Sequence, residues 1–113
     1  MQFEESDSGD ILIIKPLGKR IDATTSADFK GKMLDRINGG RRRIVLDLSE
    51  AEFIDSSGLG AIVSSLKAIG NEGDLVICSV RESVMSLFRL TRMNRVFSMF
   101  DGREEAIRSL RAS

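Results

Sequence analysis

Hydrophobic and polar positions change period along the chain, and each change marks an element. Ile11-Leu12-Ile13-Ile14 is a strongly apolar run that predicts a strand. Ahead of it Met1 to Glu5 alternates only weakly, and Ser6-Asp7-Ser8-Gly9-Asp10 is a cluster of turn formers. The two segments predict a hairpin whose first strand is short. Pro16 has no backbone donor, so the second strand should end near it, with Leu17 to Asp22 as a connecting loop. Thr24, Thr25 or Ser26 can cap a helix that carries Asp28 in its first turn and Phe29, Met33 and Ile37 on its inward stripe. Asn38-Gly39-Gly40 stops it.

Ile44 to Leu48 is short, apolar and continuous, the pattern of a strand buried on both faces. Leu59, Ile62, Val63, Leu66 and Ile69 then recur at helical spacing until Gly70-Asn71-Glu72-Gly73. Leu75 to Cys78 reads as another buried strand. A helix follows from Glu82 or Ser83, with Val84, Leu87, Phe88 and Thr91 on one side. Arg92 to Arg95 turns the chain into a last strand, Val96 to Phe100, and Asp101-Gly102-Arg103-Glu104 opens a helix striped by Ala106, Ile107 and Leu110. The order β-β-α-β-α-β-α-β-α predicts an α/β fold over residues 1–113. It has a mixed, mostly parallel sheet of four to five strands, with about four helices packed mainly on one face. At 113 residues the chain can bury one core.

Seventeen Lys and Arg balance seventeen Asp and Glu, which argues against a nucleic-acid groove or a polybasic membrane surface. No stretch is long and apolar enough to span a bilayer, and no secretory leader is evident, so a cytoplasmic protein without membrane insertion is expected. The single cysteine, Cys78, lies in an apolar run and reads as a core residue. With no histidine, the chain offers no imidazole base for a serine hydrolase and no zinc site. A serine–lysine pair using Lys67 or Lys32 has no support in the spacing, and no cofactor is expected. Arg41-Arg42-Arg43 reads first as solvated cations near a helix C-terminus, and only second as a phosphate-binding patch.

The remaining chemistry sits where the central strand hands over to a helix, at Asp55-Ser56-Ser57-Gly58-Leu59-Gly60. One hydroxyl is expected to cap the helix, a role assigned to Ser56, which leaves Ser57 facing outward. Gly58 and Gly60 would let another protein's backbone approach. A phosphate on Ser57 would add about −1.5 to −2 charges, tolerable at a helix N-terminus but repulsive to a docked partner. On spacing alone, a purely structural cap with packing glycines is the simpler alternative.

Asp47-Leu48-Ser49 followed by Phe53-Ile54-Asp55-Ser56-Ser57-Gly58-Leu59-Gly60 resembles the signature of the STAS domain, in particular that of the bacterial anti-sigma factor antagonists. Gly18-Lys19-Arg20-Ile21-Asp22 is similar to the family's loop before the first helix, with one extra residue, and Leu75–Cys78, Val84, Leu87, Phe88, Leu90, Val96-Phe97 and Glu104-Glu105-Ala106 resemble its second half. The resemblance implies a partner switch without enzymatic activity of its own. The unphosphorylated antagonist binds an anti-sigma factor that is also a serine kinase and so frees a sigma factor. Phosphorylation in Asp-Ser-Ser-Gly breaks that complex, and a serine phosphatase resets it. By position the acceptor is Ser57, with Ser56 as alternate. The implied partner surface comprises Asp22, Ala23, Thr24, Asp55, Ser56, Gly58, Leu59, Gly60 and Ile62. Monomer and weak dimer both stay open. An alternative use of the same fold is a STAS subunit that scaffolds or regulates a transporter or a stressosome-like assembly.

Overall fold

The computed structural model describes residues 1–112, so Ser113, the last residue of the expected domain, lies outside the described residues. The chain runs β1 (Gln2–Ser8), β2 (Ile11–Leu17), β3 (Arg20–Ile21), α1 (Ser26–Asn38), β4 (Arg43–Asp47), β5 (Phe53–Ile54), α2 (Ser56–Ile69), β6 (Asp74–Cys78), α3 (Glu82–Leu90), β7 (Met99–Phe100) and α4 (Arg103–Arg111). Five strands form one sheet in the order β1-β2-β4-β6-β7, while β3 and β5 pair separately. Only β1–β2 is antiparallel; β2–β4, β4–β6 and β6–β7 are parallel.

The strand order advances steadily in one direction, so right-handed crossovers place α1, α2 and α3 on the same face. Strand residues divide accordingly. Leu12, Ile14, Ile44, Leu46, Leu75 and Ile77 face the three-helix layer, packed with Phe29, Met33, Ile62 and Phe88. Their neighbours Ile11, Ile13, Val45, Val76 and Cys78 point the other way, where Ala106 and Leu110 of α4 cover them. Both faces of the parallel strands are therefore buried, which is why these runs are apolar without alternation.

Three expectations are corrected. β1 extends through Ser8, because the hairpin turn needs only Gly9 and Asp10, with Gly9 at φ 63°. Its few apolar residues are supplemented by the Phe3–Phe29 ring contact and by a two-point ion pair, Arg36 Nε and Nη2 to the Glu5 carboxylate at 2.6 and 2.9 Å. The stretch Leu17 to Asp22 is not all loop: Arg20–Ile21 pairs in parallel with Phe53–Ile54. The last strand is confined to Met99–Phe100, since Arg92 takes a left-handed φ of 62° and a 3-10 turn over Met93–Arg95 consumes the residues before Val96.

The arginine triplet is tied to acids from other segments. Arg41 reaches Asp7 at 2.6 Å, Arg43 reaches Asp10 at 3.4 Å, and Arg42 lies 3.7 Å from Glu72 while donating to the Ile37 carbonyl at 2.7 Å. These pairs lace together the hairpin turn, the end of α1 and the entry to β6, at the amino ends of the parallel strands.

Candidate functional site

At the other end of those strands, β4 runs out at Asp47. The Asp47 carboxylate is buried, accepting from the Ser49 N–H at 2.9 Å and from Arg103 Nη2 at 2.8 Å. Burial alone would push this carboxyl up; the Ser49 hydrogen bonds and the Arg103 guanidinium outweigh it and hold the group below its usual range. The loop that follows is pinned from α3's start: Arg81 Nε donates to the Ser49 carbonyl and Ser83 Oγ to the Glu52 carbonyl, both at 2.8 Å. The site is thus built on a fixed loop.

β3 and β5 then lie side by side, Arg20 opposite Phe53 and Ile21 opposite Ile54. Ile21 and Ile54 are buried, 0% and 5% exposed, and anchor the pair to the core. The chain leaves the two strands at neighbouring aspartates, Asp22 and Asp55. Asp55 is the N-cap of α2, its Oδ1 accepting from the Gly58 N–H at 3.0 Å. Its Oδ2 accepts from the Ala23 N–H at 3.3 Å, which ties the loop before α1 to the start of α2. Asp22 folds its own loop: Oδ1 accepts from the Thr24 N–H at 3.0 Å and hydroxyl at 2.7 Å, and Oδ2 from Arg20 Nε at 3.1 Å. The Thr24 hydroxyl, then the Arg20 guanidinium and the Thr24 N–H, hold the Asp22 carboxyl down at about 2. Thr25, the residue before α1, makes no side-chain cap; its hydroxyl accepts from the Asp22 N–H instead.

This arrangement revises the assignment at the junction. The cap is Asp55, not Ser56, because a carboxylate is the stronger acceptor and is one residue better placed. Ser56 and Ser57 become the first two residues of α2. Both are exposed, and neither hydroxyl has a hydrogen-bond partner among the described residues. Their backbone N–H groups are likewise left without an acceptor there, since Asp55 takes the Gly58 amide. Gly58 does not serve approach by another protein. It is buried, and a Cβ there would lie 2.2 Å from the Ile21 carbonyl oxygen, so the glycine lets α2 close on β3. Leu59 and Ile62, 8% and 0% exposed, support the junction from beneath and cannot present their side chains outward. Gly60 is exposed with open space about it. Asp22, Ala23, Thr24, Asp55, Ser56, Ser57 and Gly60 thus share one end of the fold, with Gly58, Leu59 and Ile62 behind them.

Two residues not assigned to the site belong to it. Phe53 is 41% exposed, and the Arg20 guanidinium carbon lies 4.2 Å from its ring centroid. No local pattern marks this pair, because it exists only through the pairing of two dipeptides distant in sequence.

Among the described residues neither Lys67 nor Lys32 is brought to the serine pair. Lys67 is in the last turn of α2, about 15 Å along the helix from Ser57. Lys32 is engaged by Glu5 at 3.6 Å, and burial pushes the Cys78 thiol up, away from reactivity. Among the described residues no group of histidines, cysteines and acids could hold a metal ion, and no helix is long and apolar enough to cross a membrane.

The STAS domain profile matches residues 3–106. A Thermotoga maritima protein provisionally named an anti-sigma factor antagonist is 34% identical, covering 90% of this chain and 91% of its own. The anti-sigma F factor antagonist of Paenibacillus polymyxa is 29% identical over 97% of this chain and 95% of its own. A Thermotoga maritima crystal structure with the same provisional name superposes with a TM-score of 0.91, at 32% identity over 96% of this chain and 94% of that one. With this sheet order and these matches over nearly its whole length, the chain belongs to the STAS domain family, among its anti-sigma factor antagonists.

Proposed function

We propose that this chain is a cytoplasmic partner switch. Unphosphorylated, it binds an anti-sigma factor that is also a serine kinase and thereby releases a sigma factor; phosphorylation of Ser57, or of Ser56 as alternate, ends the complex, and a serine phosphatase restores it. The observation that carries the reading is the pair of unpartnered, exposed hydroxyls on the first turn of α2, beside a loop held rigid by Asp22 and Asp55.

The chemistry follows from that placement. The kinase supplies ATP and the base; this chain supplies an alcohol oxygen that bonds to the γ-phosphorus as the bond to ADP breaks, ADP leaving and the hydroxyl proton passing to the kinase's base. The product carries about −1.5 to −2 charges, and the vacant Ser56 and Ser57 amides can take its oxygens without any change of fold. Its volume and charge fall instead on whatever was docked against Asp22–Thr24 and Gly60. The switch then needs no second conformation of the domain.

Incubation with the kinase-type anti-sigma factor of the same genome and ATP should add one phosphate, read by intact mass. Ser57→Ala should abolish the addition. Unchanged incorporation in Ser57→Ala, Ser56→Ala and the double variant would sink the site assignment. In binding measurements Ser57→Asp should weaken the complex by roughly ten-fold and Ser57→Ala should preserve it. If both bind equally, charge is not what breaks the complex.

A further inference from the structure

Arg20 is held in an unusual way for an exposed cation. Its guanidinium is stacked on the Phe53 ring at 4.2 Å and bonded through Nε alone to Asp22 Oδ2 at 3.1 Å. The side chain remains 60% exposed, and its two terminal nitrogens have no acceptor among the described residues. The neighbouring Glu52 carboxylate lies 3.9 Å from the Lys19 ammonium, and the carboxylate paired with Arg20 is that of Asp22. Ring and carboxylate together restrain the guanidinium, while its two terminal nitrogens keep their donors uncommitted among the described residues. Holding a long side chain in one place normally costs rotamer entropy on binding; here the cost has been met inside the free domain. A planar, always-charged fork with free parallel donors is the geometry that takes a carboxylate.

We infer that the Arg20–Phe53 stack is a specificity element of the docking surface, taking an Asp or Glu side chain of the partner on the guanidinium and an aliphatic neighbour on the exposed ring edge. The inference rests on the proposed function, since it assigns to the anti-sigma factor the surface beside Ser57. Arg20 is not part of the phosphoryl-transfer chemistry. It selects the partner of the unphosphorylated state, and its contribution is electrostatic as well as steric.

The test uses the full chain and the same kinase-type anti-sigma factor, comparing wild type, Arg20→Met, Arg20→Lys and Phe53→Ala. Arg20→Met keeps an unbranched aliphatic side chain beside the ring and removes the guanidinium, with its charge, its free donors and its bond to Asp22. It should weaken binding by roughly ten-fold and flatten the fall of affinity with added salt. Arg20→Lys should restore the salt dependence but only part of the affinity, because an ammonium lacks the fork. Phe53→Ala should retain the salt dependence and lose affinity by freeing the guanidinium. Wild-type affinity and salt dependence in Arg20→Met would overturn the inference while leaving the partner switch intact, and would be the result if Arg20 served only a phosphate on Ser57. Weaker binding with an unaltered salt dependence would also overturn it, by making Arg20 a structural residue. If the wild type itself neither binds the kinase nor accepts phosphate, the functional reading falls and takes this inference with it.

Discussion

Gly58→Ala is expected to destabilise the fold by about 3 kcal/mol, at the upper end of overpacking costs. The added methyl would sit 2.2 Å from the Ile21 carbonyl oxygen and 2.9 Å from Ile54 Cγ2. The first of these is backbone, fixed by the β3–β5 pairing and by the Asp55 N–H that donates to the same oxygen. It cannot swing aside as a side chain could. Relief requires α2 to back away from β3, which pulls Asp55 off the Ala23 amide and loosens the platform under the serines. Two positions along the same helix the sign reverses. A Cβ on Gly60 meets nothing within 4 Å, so Gly60→Ala should gain about 0.5–1 kcal/mol from reduced chain entropy. Urea unfolding of the two variants at unchanged m-value tests the pair. Equal and small effects would mean that Gly58 is not a contact glycine.

Removing the cation from the buried Asp47–Arg103 pair should cost nearly as much. Arg103→Met leaves Asp47, 5% exposed, as a charge without its partner, and Ser49 alone cannot replace the guanidinium. Breaking a fully buried pair costs about 3–5 kcal/mol; Arg103 is partly open to water, so about 2–3 kcal/mol is expected at pH 7. The pH dependence distinguishes this from lost packing. In the wild type the folded Asp47 pKa is depressed, so its contribution is complete above the unfolded value of 3.8 and is lost as pH falls through the lower folded value. In Arg103→Met burial is opposed only by Ser49, the carboxyl rises, and protonation relieves the penalty. The gap between the two proteins should therefore close as pH is lowered from about 5 to 3. Glu5 and Asp22, also depressed, change alike in both proteins and cancel in the difference. A gap that stays constant with pH would assign the loss to packing of the Arg103 stem.

Four helices, the hairpin and the buried parallel strands β4 and β6 were legible because their signal is periodic or continuous over several residues. Phe29, Met33 and Ile37 on α1, or Ile44 to Leu46 on β4, repeat one message several times. β3 and β5 were not legible: each is a dipeptide with one buried and one exposed residue, and neither has a period to read. The outward place of Ser57 was legible from the strand–helix junction, but the capping atom and the exposure of Ser56 were not. Asp55 and Ser56 are both good N-caps, and the choice turned on which residue's side chain meets the Gly58 N–H, beside which the Ile21 carbonyl lies beneath the helix. That same carbonyl explains why Gly58 was misread as an outward-facing gap. A glycine's neighbour is decided by tertiary approach, which leaves no local trace. The arginine triplet reads alike whether solvated or paired, and only the fold brings Asp7, Asp10 and Glu72 to it.

The miniature β3–β5 ladder separates two duties between adjacent residues: Ile21 and Ile54 are interior, while Arg20 and Phe53 stand in solvent. Exchanging either outer residue therefore costs the fold little, whereas exchanging either inner one opens a hole. Sister circuits in a single cell could diverge at the outer pair alone, acquiring a private partner while inheriting the scaffold unchanged. If the outer pair meets a partner as inferred above, selection can vary it without first securing stability elsewhere.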